Sequence, residues 1–168
     1  MSDTPLSPKP LIEGLPAGSQ LEGVLAHRPE LLERYRQFYL GLWQSGFVPV
    51  RTLELCRVRT AYIHGAEAEL AIDHPDAPLD TATRESLAAG TLTSFAASEQ
   101  VALELAEQMP FNHHGITDAQ VHQAVSAFGE AGAVTLLTAL AFFDVTCRLK
   151  LVWSLAVEPA QQQADLLV

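Results

Sequence analysis

The stretch ELCRVRTAYIHGAEAELAIDH, Glu54 to His74, decides the fold. Its apolar residues Val58, Ala61, Tyr62, Ile63, Leu70 and Ile72 follow helical spacing, but the pair His64-Gly65 interrupts them. Glu54, Arg57, Arg59, His64, Glu67, Glu69, Asp73 and His74 lie among these apolar positions. On one straight helix, positions 54 and 66 would stand about 18 Å apart. Gly65 accepts positive φ without a Cβ penalty, so the chain can turn there and bring the two ends together. The expected unit is a helix from about 51 to 63, a turn, and a shorter helix from about 66 to 72. Charged residues beside such a break either line a pocket or form a solvated face.

Outward from this stretch the chain reads as helices throughout. Toward the N-terminus, Ser19 is placed to cap a short helix to about Ala26. Pro29 suits the first position of an amphipathic helix to Gln44, with Leu31, Leu32, Tyr35, Phe38, Tyr39, Leu42 and Trp43 on its apolar side. Residues 1–17 carry four of the ten prolines and no periodicity, which predicts an extended arm. Toward the C-terminus, Asp80 or Thr81 caps a short helix through Ala88. A further helix, capped by Ser94 or Ser98, is expected to close at Pro110. Thr117-Asp118-Ala119-Gln120 is a capping box that starts a helix to Phe128. After a connector at Gly129–Gly132, a last helix is expected to run to Ala156, its uncharged part too short to span a bilayer. The predicted fold is all-α: one domain over 18–158, with the helix-turn-helix at its centre and a tail from 159 to 168.

Composition narrows the function. The apolar share is 48% and the charged share 18%, enough to bury a core. A net charge of −10 disfavours nucleic acid and anionic membrane surfaces as partners. Cys56 and Cys147 have no CxxC or zinc spacing and sit in apolar runs, so buried free thiols are expected. The N-terminal residues lack the apolar core of a signal peptide, and the expected location is the cytoplasm.

The spacing within Glu54–Asp73 resembles the carboxymuconolactone decarboxylase superfamily, in particular its alkylhydroperoxidase D-like (AhpD-like) branch. That branch has a Glu twelve residues before the first Cys of a CxxC, and a His four residues after the second. Here Glu54 matches the Glu, the cysteine positions fall on Ala66 and Glu69, and the His position falls on Asp73, with His74 one residue late. LCRVRTAYIHG, the earlier LWQSG and the later FFDVTCRL extend the likeness, which covers roughly residues 29–155. The resemblance implies an AhpD-like helical bundle and a homo-oligomer, with the apolar faces of 29–44 and 131–156 as contact surfaces. With Ala66 and Glu69 in the cysteine positions, a CxxC disulfide cycle is excluded by the residues themselves.

Two function classes follow. One is an acid–base pocket for a small organic ligand, with Glu54 as base and His64 as its partner, akin to the decarboxylase branch that works without CxxC. The other is a non-catalytic scaffold or ligand-binding relative. Each candidate also has a structural reading. Glu54 could pair with Arg57, Arg59 or Arg148, and His64 could cap the end of its own helix. Glu69 could form a carboxylate pair with Glu54 and hold a proton or a cation. Arg148 could form an ion pair with Asp144 or support Glu54, and Arg59 and His74 are further supporting candidates. His74, His113, His114 and His122 lack the HxxxH spacing of two imidazoles on one helical face, and neither metal nor cofactor is expected.

Overall fold

The computed structural model describes residues 21–155. Among them are seven α-helices and no strand: α1 Leu21–Leu25, α2 Pro29–Trp43, α3 Val50–His64, α4 Glu67–Leu70, α5 Thr81–Ala89, α6 Ala97–Asn112 and α7 Asp118–Val152. The all-α class holds. The proline-rich arm and the C-terminal tail lie outside the described residues.

The centre of the molecule is α3. Leu53, Leu55, Cys56, Val58 and Ala61 cover several sides of this helix, and all are fully buried. A helix apolar on so many sides needs neighbours all round. α6 supplies Ala102, Leu103, Leu105 and Ala106, and α7 supplies Leu136, Ala139, Leu140 and Phe143. α2 lies across α7 through aromatic rings: Tyr35, Phe38 and Tyr39 stand 5.5, 5.1 and 5.7 Å from Phe142.

The expected break falls at Gly65, whose φ of 63° and ψ of 34° are left-handed. Ala66 N–H donates to the Ala61 carbonyl at 2.9 Å, and Gly65 N–H to that of Tyr62 at 3.2 Å. These two bonds make a Schellman cap, and the accompanying apolar contact joins Ala66 to Ala61. α4 is shorter than the sequence suggests, Glu67–Leu70 rather than 66–72. Arginine side chains take the carbonyls at its end: Arg57 binds those of Glu69 and Ile72, and Arg84 that of Leu70. A helix ends readily where side-chain donors satisfy its last carbonyls.

Three expected boundaries shift. Pro110 does not close α6, which runs on to Asn112. Its carbonyl instead accepts from Arg148 Nη2 at 2.8 Å. α6 begins after Ala96 rather than at Ser94 or Ser98, because Glu99 reaches back to the Ala96 N–H at 3.1 Å. The expected connector at 129–132 is present but reduced to a kink at a single residue. Gly129 alone leaves helical geometry, with φ 74° and ψ 172°, and α7 resumes at once. Two helical segments thus meet at a kink within Asp118–Val152, a span that by length and composition is long enough to cross a membrane. The core helix of a water-soluble protein meets the same test, and the inner face of α7 is part of this core.

Candidate functional site

Arg57, on the second turn of α3, is the pivot of the 54–74 region. Its side chain is 2% exposed. Nε donates to Glu54 Oε2 at 2.7 Å, and Nη2 to Glu54 Oε1 at 2.6 Å, a bidentate pair across one helical turn. Nη2 also donates to the Ile72 carbonyl at 2.6 Å. Nη1 donates to the Glu69 carbonyl at 2.7 Å and to Glu69 Oε1 at 2.9 Å. All five guanidinium N–H groups are thereby used inside the protein. On the far side of Glu69, Lys150 Nζ of α7 lies 2.5 Å from Oε2, a charge contact without hydrogen-bond alignment. Two carboxylates and two cations thus form a neutral, buried chain Glu54–Arg57–Glu69–Lys150 that ties α3, α4 and α7 together.

Electrostatics follow from burial. Desolvation would raise the Glu69 carboxyl, but Lys150 and Arg57 outweigh it and hold that carboxyl below the usual range. Desolvation likewise opposes the charge on Arg57, yet the hydrogen bonds and charge of Glu54, with the charge of Glu69, keep it firmly cationic. Tyr35 and Tyr39 of α2 carry the reverse effect. Burial first, then the charge of Glu69, push both phenols well above the ordinary tyrosine value, so both stay neutral donors.

The structural alternative for Glu54, pairing with Arg57, is the arrangement found. Glu54 is 0% exposed, and its carboxylate also accepts the His74 backbone N–H at 3.3 Å. Glu54 and Glu69 do approach one cation, but that cation is the protein's own Arg57. Glu54 and His64 are not brought together as base and partner. They lie ten residues apart on one unbroken helix, about 15 Å along its axis.

His64 instead belongs to a second constellation, at the C-terminal end of α3. It does not cap its own helix, a task Gly65 and Ala66 perform. Its Nε2 donates to Asp144 Oδ1 of α7 at 2.7 Å. Asp144 also accepts from Arg148 Nε, at 2.9 and 3.0 Å. The Phe111 ring closes the group, 5.1 Å from the His64 ring and 5.4 Å from the Arg148 guanidinium carbon. Phe111 is 66% exposed, while the His64 side chain is 5% exposed. An aspartate that fixes the orientation and tautomer of a histidine leaves the other ring nitrogen as the proton-exchanging atom. Among the described residues, Nδ1 of His64 has no hydrogen-bond partner.

The remaining candidates scatter. Arg59 binds Glu107 at 2.7 Å and the Leu87 carbonyl at 2.7 Å, locking α3 to α5 and α6. Asp73 pairs with Arg84. The His74 ring stacks on Trp43 at 4.5 Å, and its Nδ1 accepts the Asp76 N–H at 3.2 Å. Ala66 is buried against Ala61 and Cys147. Cys147 is fully buried in this small cluster. Burial and then the charge of Glu69 push that thiol up to about 12, and burial raises Cys56 as well. Neither is a thiolate nucleophile at neutral pH.

The sequence reading missed two site residues. Arg57 entered it only as one of three partners for Glu54, and Lys150 was given no partner there. The available signal was a pair of cations on helices otherwise rich in buried positions, since such cations require carboxylate partners. Among the described residues no three of His, Cys, Asp or Glu converge to hold a metal ion. No protein-family model, no curated protein and no solved structure matches this chain, so its geometry carries the functional argument by itself.

Proposed function

We propose that the chain is a thiol-independent relative of the carboxymuconolactone decarboxylase superfamily, handling a small organic ligand through His64 rather than through Glu54. One observation carries this reading: the Asp144–His64 pair at 2.7 Å, flanked by Arg148 and the exposed Phe111 ring. His64 Nδ1 is the acid–base atom, Asp144 its orienting group, and Arg148 and Phe111 fit a carboxylate carried on a flat or aromatic body. Glu54, Arg57, Glu69 and Lys150 give the helices their register and contribute no free acid or base.

The test is a thermal-shift series with aromatic acids and carboxylated lactones. A stabilising ligand should lose its effect in His64→Gln and in Arg148→Met, with helical content unchanged by circular dichroism. Stabilisation that survives His64→Gln would refute the assignment. A non-catalytic scaffold is the second reading. It is favoured by the closure of His64 under Phe111 and by the complete internal use of the Arg57 donors. It gains if no member of the series shifts the wild-type transition.

A further inference from the structure

Thr60 of α3 carries a buried hydroxyl that the protein leaves unmatched. The residue is 1% exposed, and its Oγ1 has no hydrogen-bond partner among the described residues. Other helical hydroxyls turn back to their own backbone: Ser126, Thr135 and Thr146 donate to the carbonyl four residues earlier, at 2.9, 2.8 and 2.8 Å. Thr60 does not make that bond. A hydroxyl buried alone is costly, so its place calls for a small polar molecule.

Three helices meet at this hydroxyl. On α3, His64 follows Thr60 by one turn, and a long helical side chain leans back over the turn before it, which directs the imidazole over Thr60. α6 runs parallel to α3, since Arg51–Glu99 and Arg59–Glu107 both join residues 48 apart. That register sets Thr60 level with Gln108, between Ala106 and Pro110, both of which are buried. Pro110 lies inside α6 and has no N–H to return to the Ala106 carbonyl. α7 completes the group, as Arg148 binds both Asp144 and the Pro110 carbonyl.

We infer that Thr60 Oγ1, the Ala106 carbonyl and His64 Nδ1 hold one buried water, and that Thr60 is a positioning residue for His64. Donors and acceptors balance. Asp144 takes the hydrogen bond from Nε2, which leaves Nδ1 an acceptor. The water donates to Nδ1 and to the Ala106 carbonyl, and accepts from the Thr60 hydroxyl. Three hydrogen bonds are the usual complement of a buried water. A proton taken from a ligand passes to the water as the water gives one to Nδ1; the charge ends on the imidazolium and the water is restored. This relay rests on the acid–base role proposed for His64, whereas the binding of the water does not.

The experiment uses the full chain, labelled with 15N and 13C, without ligand. Magnetisation should pass from water to the Thr60 methyl and to the Pro110 δ protons, proline having no exchangeable proton that could imitate the effect. Thr60→Val keeps the shape and removes the hydroxyl. It should lose the Pro110 cross-peak, lower the urea midpoint, and move the Nδ1 resonance of His64 while Nε2, held by Asp144, stays in place. Thr60→Ser should restore both the cross-peak and the Nδ1 resonance. Four results would overturn the inference: no water contact at Pro110 in the wild type, a urea midpoint of Thr60→Val that is unchanged or raised (the outcome for a hydroxyl with no partner), equal movement of both ring nitrogens, or a Thr60→Ser variant that restores neither signal. The wild-type contact and Thr60→Ser still decide the matter if Thr60→Val does not fold. A ligand response without the water refutes only the Thr60 assignment. The water without any ligand response refutes only the proposed function.

Discussion

Replacing Arg57 with methionine keeps the length and apolar stem of the side chain and removes the guanidinium. Glu54, 0% exposed, loses the one cation it pairs with among the described residues, while Glu69 keeps Lys150. Removing one partner of a buried ion pair costs about 3–5 kcal/mol. The Glu69 and Ile72 carbonyls lose donors as well, at about 1 kcal/mol or more each where no water replaces them. The expected loss is therefore about 4 kcal/mol or more, a large share of the roughly 5–15 kcal/mol typical of a domain. At about 2–4 °C per kcal/mol for a chain of this length, the midpoint should fall by about 10 °C or more. Urea unfolding at neutral pH, with a thermal scan beside it, measures both.

The pH dependence sharpens this test. The Glu69 carboxyl is held below its ordinary value, so its contribution is present above the unfolded glutamate value of about 4.3 and is lost as pH falls through the lower folded value. Wild-type stability should accordingly drop below that pH. In Arg57→Met, Glu54 is a buried carboxylate without a cation and is better tolerated protonated. The deficit of the variant relative to wild type should therefore narrow as pH falls toward 4. A variant within about 1 kcal/mol of wild type at neutral pH, or a deficit that widens in acid, would refute the account of the network.

Other outcomes follow from the same structure. Neither cysteine should react with a thiol reagent in the native protein, and both should react after denaturation; the chain should reduce no organic hydroperoxide with a dithiol donor. Gly129→Ala should destabilise by about 1–3 kcal/mol, because φ 74° with ψ 172° is a region open essentially to glycine, as a urea titration would show. Gly41→Ala is the contrasting case. Gly41 sits inside α2 with nothing within 4 Å of an added Cβ, so this change should stabilise by about 0.5–1 kcal/mol in the same titration.

Residues 54–74 show how far the sequence reaches. The helical spacing, the stop at Gly65 and the caps at Asp80 and Thr117 rest on local chemistry, and each was legible. The choice among three arginines for Glu54 was not. Arg57 lies one turn from Glu54 and could as well have faced water; it turns inward because α4 folds back to offer the Glu69 and Ile72 carbonyls. The same holds for His64. Its partner Asp144 is eighty residues away, and the sequence paired Asp144 only with Arg148, four residues along its own helix.

The sequence by itself determined the all-α class, most helix limits and the lack of a CxxC cycle at the 66 and 69 positions, because periodicity, caps and residue identity are local properties. The tertiary structure decided which charges meet. It closed Glu54 inside an internal ion network, paired His64 with Asp144 across eighty residues of sequence, and left Val134, Val145 and Val152 of α7 exposed. Those outcomes depend on how α4 and α7 pack against α3, and contacts between residues distant in sequence leave no local periodicity by which to be recognised.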